Sequence, residues 1–190
     1  YARNPDWDYT FALQPQIEAM AASALRLGST LGVMFLDLDG FKQVNDTLGH
    51  EAGDELIRTV AERLSHCMRK SDSVARIGGD EFTVILEDVD TTSDIVNVAR
   101  KAIDVISRPV MLGGQQVFVG ASIGIAVYRP APEEALARTQ AQVNRSAEEI
   151  VEQADAAMRR AKLQGKARWC IAGSDASRVD ALRKPDSFAR

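Results

Sequence analysis

Acidic side chains lie at the ends of two stretches of the sequence that have the composition of β-strands. Asp37 and Asp39 end one apolar run, and Asp80 and Glu81 follow a Gly-Gly pair between two further apolar runs. Because glycine adopts positive φ without a steric penalty, the Gly-Gly pair predicts a β-hairpin with both acids at its tip. If the two strands are neighbours, Asp37 and Asp80 face each other at one end of a sheet. Carboxylates held there and left partly open to water suit Mg²⁺, and Glu81 is then a second ligand or a general base.

Each acid also has a purely structural explanation. Taken singly, an acid at a strand end or a hairpin tip is more often a solvated surface residue than part of a site. Acids at the ends of two strands, at Asp37, Asp80 and Glu81, are harder to explain in this way. The pattern therefore favours a metal or acid-base site.

Phosphate binding would need partners other than the standard loops. The chain has no Gly-x4-Gly-Lys-Ser/Thr loop and no Gly-x-Gly-x-x-Gly after a strand. Lys42 follows the first apolar strand, and Lys162 and Lys166 lie four residues apart at the end of the last predicted helix. Cations are also favoured at a helix C-terminus by the helix dipole, which is the alternative explanation for this pair.

Two pairs of polar residues have the chemistry of guanine recognition. Asn45 and Asp54 flank the turn at His50, and an amide beside a carboxylate complements the edge of guanine. Arg69 and Asp72 lie three residues apart before the hairpin, and an arginine fork binds guanine through O6 and N7. The alternatives are helix caps for the first pair, a packing role for His50, and a helix-terminal cation with a loop acid for the second pair.

Composition limits the classes of protein to which the chain can belong. With 190 residues, of which 45% are hydrophobic, it is long enough for one well-buried domain. The net charge of −4 gives no global attraction to nucleic acid or to an anionic membrane. No apolar run is long enough to span a membrane and no signal-peptide pattern is present, so we expect a cytoplasmic chain with no membrane segment and no nucleic-acid partner. Cys67 and Cys170 lack metal or redox spacing and are expected to pack in the interior.

Hydrophobic periodicity and glycine positions predict an α+β fold with helices on an antiparallel-rich sheet. The chain starts at Tyr1 without a Met, which suggests an excised fragment. We expect an atypical lead-in at residues 1–10, one domain at 11–172 and a loosely held tail at 173–190. The predicted elements are helices at 11–27, 41–48, 54–68, 93–107, 130–144 and 147–163, strands at 31–39 and 168–172, and hairpins at 73–86 and at 110–112 with 116–128.

Short motifs follow one another in a fixed order along the chain, namely Phe35-Leu-Asp-Leu-Asp39, Phe41-Lys42, Asn45-Asp46, Leu48-Gly49-His50, Gly53-Asp54, Arg76-Ile-Gly-Gly-Asp-Glu-Phe82, Ala121-Ser-Ile-Gly124, Ala154-Asp155, Ala161-Lys162 and Gly165-Lys166. In this order they resemble the motifs of the GGDEF family of diguanylate cyclases. The resemblance covers residues 11–172 and is specific, because many spaced motifs agree. It implies a fold similar to that of class III nucleotide cyclases and the condensation of two GTP molecules into cyclic di-GMP, with release of pyrophosphate, in bacterial signalling.

The resemblance implies a role for each matching residue. It makes Asp80 and Glu81 catalytic, with Glu81 near the ribose 3′-hydroxyl. The implied metal ligands, for Mg²⁺ or Mn²⁺, are Asp37, Leu38, Asp80 and Glu81. The implied substrate-binding residues are Phe41, Lys42, Asn45, Asp54, Gly78, Gly79, Lys162 and Lys166, and the implied inhibitory product site is Arg69, Asp72 and Arg100.

The resemblance also implies partners, namely GTP, cyclic di-GMP as product and inhibitor, a second subunit to form a homodimer, and an upstream sensory domain. Three departures from the family pattern stand out. The usual Asp-x-Leu-Thr-Gly-Leu-x-Asn-Arg lead-in is missing from residues 2–10, Arg159 stands where Tyr is common, and Ala167 stands where Asn is frequent. A polar segment at 131–144 looks like a surface insertion.

Two other functions compete with an active cyclase. The first is a catalytically silent GGDEF module that binds GTP or cyclic di-GMP and regulates a partner domain. The second is a nucleotide cyclase with another product, which is the weaker alternative because Asn45 and Asp54 suit guanine.

Overall fold

The computed structural model describes residues 19–20, 22–24, 28–129 and 140–173, and for residues 140–146 it describes the backbone alone. The predicted lead-in at 1–10, most of the predicted helix at 11–27, the predicted segment at 130–139 and the tail beyond residue 173 lie outside the described residues. The domain boundaries drawn from the sequence therefore stay predictions.

A five-stranded sheet forms the centre of the molecule, with strand order β2-β3-β1-β6-β7. All its neighbouring strands pair antiparallel except β6 and β7, which are parallel. This confirms the predicted α+β fold with an antiparallel-rich sheet. The elements are β1 (Leu31–Asp39), α1 (Phe41–Leu48), α2 (His50–Cys67), β2 (Ser73–Gly78), β3 (Glu81–Leu86), α3 (Thr92–Ile106), β4 (Val110–Leu112), β5 (Gln115–Val117), β6 (Gly120–Tyr128), α4 (Gln140–Leu163) and β7 (Arg168–Ile171).

The central strand β1 is buried on both faces, as its apolar sequence predicts. Because side chains alternate along a strand, Met34 and Leu36 join the core formed with α2 and α3, whereas Val33 and Phe35 join the core formed with α4. The same alternation places Asp37 on the α4 face. Among the described residues, no helix is both long enough and apolar enough to cross a membrane.

Helix α4 lies directly against β6 because Gly124 has no side chain. A Cβ at Gly124 would lie 1.9 Å from the Ala154 carbonyl oxygen and 2.2 Å from the Met158 nitrogen. The helix has three fully buried alanines in this part, Ala154, Ala157 and Ala161. This close approach sets the height of α4 above the sheet and so carries its C-terminal end over the end of β1.

Three predicted boundaries were wrong. Helix α2 begins at His50 instead of residue 54, because Gly49 takes the N-cap position at φ 86° and leaves Gly53 inside the helix. The predicted strand at 116–128 is two strands: β5 pairs with β4 in a separate two-stranded hairpin, while β6 enters the main sheet. Helix α4 begins at Gln140, ahead of the predicted start at residue 147.

Replacement of Gly124 by Ala is expected to destabilise the protein by about 3 kcal/mol, the upper part of the range for overpacking. The new Cβ would meet backbone atoms of α4, which cannot move without displacing the helix. The matched control is Gly32→Ala, whose Cβ would meet the movable Ile95 Cδ1 at 2.9 Å. Denaturant unfolding measures both variants, and an equal loss of stability in the two would contradict this account.

Candidate active site

Asp37 and Glu81 lie directly opposite each other in the sheet. They are Cα partners in the antiparallel ladder of β1 and β3, so their side chains project from the same face as close neighbours. On its other side Asp37 faces Ser122 of β6. The two acid-bearing strands are therefore neighbours, as the sequence analysis required, but the residue directly opposite Asp37 is Glu81 and not Asp80.

The turn that carries Asp80 is held from two sides. The Leu38 N–H donates to the Asp80 carbonyl at 3.1 Å, which ties the turn to β1. The Arg76 guanidinium donates from Nε and from a terminal nitrogen to the Gly79 carbonyl, at 3.1 and 2.8 Å. The register shifts after the pair Arg76–Phe82, so that Ile77 forms a bulge and Gly78 pairs with Glu81. Bulges commonly re-aim the side chains next to them.

The predicted phosphate cation Lys162 reaches the same acids from α4. Its Nζ lies 2.5 Å from Asp37 Oδ2, with the Lys162 side chain 35% exposed and that of Asp37 11% exposed. The helix dipole favours a cation at this end of α4, but this contact with Asp37 gives Lys162 a specific place in the site as well.

The acids crowd one another electrostatically. Burial raises the pKa of Asp37, which the hydrogen bond from Lys162 partly offsets and the charge of Asp80 increases. Burial also raises the pKa of Glu81, and the charges of Asp37 and Asp80 raise it further. The site thus holds more negative charge than Lys162 balances, so a further cation would be attracted to it.

The donor set fits Mg²⁺ that is shared with phosphates. Within the described ranges, no three His, Cys, Asp or Glu side chains converge closely enough to form a complete metal site. Mg²⁺ needs only one or two carboxylates when waters and substrate phosphates supply its other ligands. Asp37 and Asp80 offer such carboxylates, and Glu81 adjoins them. Leu38 can contribute only its backbone carbonyl, because a leucine side chain has no metal-binding atom and here packs in the core with α2 and α3.

The pair Asn45 and Asp54 lies at the junction of α1 and α2. Asn45 Oδ1 is buried without a hydrogen-bond partner among the described residues, and a Cβ at Gly53 would lie 1.8 Å from it. A buried acceptor without a hydrogen bond lowers the stability of a protein by about 1–3 kcal/mol, unless a ligand or a water molecule donates to it. Both residues lie inside helices, with Gly40 and Gly49 at the N-cap positions, so the explanation of the pair as N-caps is wrong.

The other predicted nucleotide-binding residues lie around these groups. Phe41 starts α1 and packs partly buried against the core, while Lys42 beside it is exposed. Gly78 ends β2, and Gly79 occupies the turn at φ 24°. Lys166 lies in the exposed loop after α4.

The predicted inhibitory residues fall in two places. The Arg69 N–H donates to Asp72 Oδ2 at 2.8 Å, and the Asp72 N–H donates to the Arg69 carbonyl at 3.1 Å, so the two residues close one turn before β2. Arg69 also lines a cleft of about 540 Å³ together with Glu87 and other residues. The Arg100 guanidinium lies 5.8 Å from the ring centroid of Trp169 on β7. Since β2 and β7 are opposite edges of the sheet, this placement does not bring Arg100 to Arg69.

Some residues at the site had no role in the sequence prediction. Arg76 belongs to the hairpin motif, yet nothing in the pattern indicates that it binds the Gly79 carbonyl. Asp155 raises the pKa of Glu81 by its charge and forms an ion pair with Arg159 one turn later in α4. The spacing of Asp155 and Arg159 by four residues is a signal for this ion pair that could have been used.

Comparisons with known proteins give one consistent result. Residues 11–168 match the family model described as "Diguanylate cyclase, GGDEF domain". The chain is 39% identical over 159 residues to the bifunctional diguanylate cyclase/cyclic di-GMP phosphodiesterase MucR of Pseudomonas aeruginosa, covering 84% of this chain and 21% of MucR. It is 42% identical over 101 residues to the cyclic di-GMP phosphodiesterase NbdA of the same organism, covering 53% of this chain and 13% of NbdA. The chain thus spans about a fifth or less of the length of these two relatives.

Solved structures agree with this match. The GGDEF domain of TpbB (YfiN) from Pseudomonas aeruginosa is 34% identical with a TM-score of 0.73, and the alignment covers 87% of this chain and 96% of that one. The GGDEF domain of DgcB from Caulobacter crescentus, solved in complex with c-di-GMP, is 26% identical with a TM-score of 0.74. The alignment covers 92% of this chain and 99% of that one. The fold is thus shared with solved GGDEF domains.

Replacement of Glu81 by Gln is expected to stabilise the metal-free protein at neutral pH. The pKa of Glu81 in the folded protein is raised above its ordinary value of 4.5. The contribution of Glu81 to the free energy of unfolding is therefore fully present below pH 4.5 and is lost as the pH rises through the folded pKa. Gln carries no charge, so the Tm of Glu81→Gln should equal that of the wild type near pH 4 and should exceed it increasingly towards pH 7.5. Each kcal/mol of relieved repulsion corresponds to a rise in Tm of about 2–4 °C.

The measurement is thermal unfolding in chelator at both pH values. The exposed Glu87→Gln is the matched control, and it should show no such growth. A gain for Glu81→Gln that is the same at both pH values would contradict the electrostatic explanation.

Proposed function

Since this chain belongs to the GGDEF family, we propose that it is a diguanylate cyclase that condenses two GTP molecules into cyclic di-GMP and releases pyrophosphate. The observation that carries the proposal is the opposition of Asp37 and Glu81 across β1 and β3, with Lys162 above them at 2.5 Å from Asp37. It brings together residues 125 positions apart that have the chemistry of phosphoryl transfer.

Asp37 and Asp80 would hold Mg²⁺, or Mn²⁺ in its place, with waters and the phosphates of GTP as its other ligands. A bound ion would supply neutralisation of phosphate charge and polarisation of the α-phosphoryl group. Glu81 accepts the proton of the attacking ribose 3′-hydroxyl. Its place directly opposite Asp37, on the face that Lys162 also reaches, supports this role, because a general base must lie within reach of the proton that it accepts.

Lys162 changes its partner during the cycle. In the free protein its ammonium balances part of the charge of Asp37, and its side chain is exposed enough to turn outward. When GTP binds, Lys162 contacts the terminal phosphates, and Lys166 and Lys42 add positive charge around them. Release of pyrophosphate then returns Lys162 to Asp37.

Asn45 and Asp54 bind the guanine base. The unfilled Asn45 Oδ1 and the exposed Asp54 carboxylate are both acceptors, which complements the imino and amino hydrogens of guanine. Phe41 belongs to the same helix as Asn45, and the family resemblance assigns it to the nucleotide site as well. Gly78 and Gly79 let the nucleotide approach the hairpin backbone. The absence of a Cβ at Gly53 is what leaves room for Asn45 to take this position.

Bond formation requires two copies of the chain. The site has residues for one GTP, and the 3′-hydroxyl of each nucleotide must attack the α-phosphate of the other. Two sites that face each other in a homodimer meet this requirement. An upstream sensory domain that controls dimerisation, and a cytoplasmic location, are further proposals that rest on the family resemblance.

The product binds away from catalysis at Arg69 and Asp72. Ser73, next to Asp72, pairs with Ile85 of β3, and Ile85 pairs on its other side with Val33 of β1. Asp37 lies four residues further along β1, which corresponds to about 13 Å at 3.3 Å per residue. An inhibitory role for Arg100 stays a prediction, with its contact to Trp169 as the competing structural role.

A silent GGDEF module that binds GTP or cyclic di-GMP is the second candidate. It is favoured by the match to NbdA, whose name gives only phosphodiesterase activity. The intact set of Asp37, Asp80, Glu81 and Lys162 favours the active enzyme instead. The two candidates predict the same binding but different turnover.

Incubation with GTP and Mg²⁺ at several protein concentrations is expected to yield cyclic di-GMP, detected by mass spectrometry. Glu81→Gln should lower turnover by about 10²-fold or more, the usual contribution of a general base. Its affinity for a non-hydrolysable GTP analogue should change much less, while Glu62→Gln, at an exposed position on α2, should match the wild type. Turnover by Glu81→Gln close to that of the wild type would remove Glu81 from the mechanism. No product from the wild type, even after fusion to a dimerising coiled coil, would favour the silent module.

Cyclic di-GMP is expected to bind the wild type, and Arg69→Ala should weaken this binding at least about tenfold, because hydrogen bonds to a charged group are worth 1.5–3 kcal/mol. Lys70→Ala removes an exposed neighbouring charge and is the matched control. Titration calorimetry measures both. Equal affinities for Arg69→Ala and the wild type would place the product elsewhere, and a loss with Arg100→Ala would restore Arg100 to the inhibitory site.

A further inference from the structure

The loop between α4 and β7 holds two consecutive non-glycine residues in the left-handed region of backbone conformation. Lys166 has φ 62° and Ala167 has φ 46°, directly after Gly165 at φ 112°. L-residues avoid this region because their Cβ approaches the backbone, and such conformations persist only where surrounding contacts hold them. One of the two strained residues is a cation that the proposed function assigns to the substrate phosphates.

Asp39 at the end of β1 holds this loop. Its Oδ2 accepts the Ala167 N–H at 2.9 Å, and its two oxygens accept the Ser122 hydroxyl at 2.9 and 3.1 Å. The backbone of Gly120 gives the carboxylate room, since a Cβ there would lie 3.2 Å from Asp39 Oδ2 and 3.3 Å from the Ala167 Cβ. Asp39 therefore joins the ends of β1 and β6 to the loop.

Other contacts fix the backbone of Lys166 itself. Its N–H donates to the Ala161 carbonyl at 3.1 Å, and its carbonyl accepts from Arg168 Nε at 3.2 Å. Both of these partners belong to α4 or β7, the elements that the loop connects. The contact from Asp39 differs because it comes from the strand that carries Asp37, so it sets the position of the loop relative to the acids.

We propose that Asp39 is a positioning residue for the substrate phosphates, acting by holding the strained Lys166–Ala167 backbone so that the Lys166 ammonium stays at a fixed place relative to Asp37. Asp39 itself does not touch the substrate in this account. The inference rests on the proposed function, because it takes the triphosphate of GTP as the group that Lys166 binds.

The test compares Lys166→Ala, Asp39→Ala and the double variant in their affinity for a non-hydrolysable GTP analogue, measured by calorimetry. Each single variant is expected to weaken binding about tenfold. The double variant should bind no more weakly than Lys166→Ala alone, because Asp39 has nothing left to position. A loss from Asp39→Ala that persists in full in the Lys166→Ala background would overturn the proposal, as would an unchanged affinity of Asp39→Ala.

Two conservative variants separate positioning from general stability. Asp39→Asn keeps an acceptor for the Ala167 N–H and should bind the analogue nearly as the wild type does. Adding Ala167→Gly to Asp39→Ala should restore part of the affinity, since glycine adopts positive φ without strain. If Asp39→Ala lowers affinity and neither change restores it, while Tm falls in parallel, the role of Asp39 is structural and the proposal fails.

These outcomes are distinct from failure of the proposed function. A wild type that binds the analogue but makes no cyclic di-GMP would contradict the cyclase, while the comparison with Lys166→Ala would still decide the role of Asp39. A wild type that does not bind the analogue would contradict both.

Discussion

The register between β1 and β3 is the constraint on which the candidate site depends. Because side chains alternate across a sheet, a slip of one residue would move Glu81 to the opposite face from Asp37. The register is fixed by burial further along the same strand, where Phe82 and Val84 face one core and Ile85 faces the other. The arrangement of the acids is therefore inherited from hydrophobic packing, because the acids themselves repel one another.

That repulsion explains why the site needs α4. Asp37 is nearly buried, and Lys162 is the cation that the structure brings to it. Helix α4 can deliver this ammonium only because it approaches β6 at Gly124, where a side chain would collide with the helix backbone. Gly124 on β6 thus affects the charge around Asp37 on β1, because it sets the position of α4, the helix that carries Lys162.

Sequence patterns predicted those parts of the site that depend on local structure. The apolar run before Asp37, the Gly-Gly hairpin and the helical spacing of Lys162 each reflect the preferences of neighbouring residues, and the structure contains all three elements. The split of the predicted strand at 116–128 was missed because Phe118 and Val119 continue a β-prone composition, and only pairing with distant strands separates β5 from β6.

The contacts of Asp39 show where sequence reasoning ends. Its partners Ser122 and Ala167 are 83 and 128 residues away, and neither residue type signals such a contact. Ala167 is even misleading, because positive φ is expected at Gly or Asn and not at Ala. A conformation imposed by tertiary contacts against local preference leaves no local pattern to find.

Arg159 illustrates how a departure from the family pattern can leave a site intact. It stands where the family often has Tyr, and it pairs with Asp155 on the exposed side of α4. Asp155 acts on Glu81 by raising its pKa, so a cation bound to Asp155 reduces the negative charge that Glu81 experiences. The substitution therefore adds positive charge next to the acids while Lys162 keeps its contact with Asp37. Arg159 thereby increases the positive charge that phosphates would meet at this end of α4.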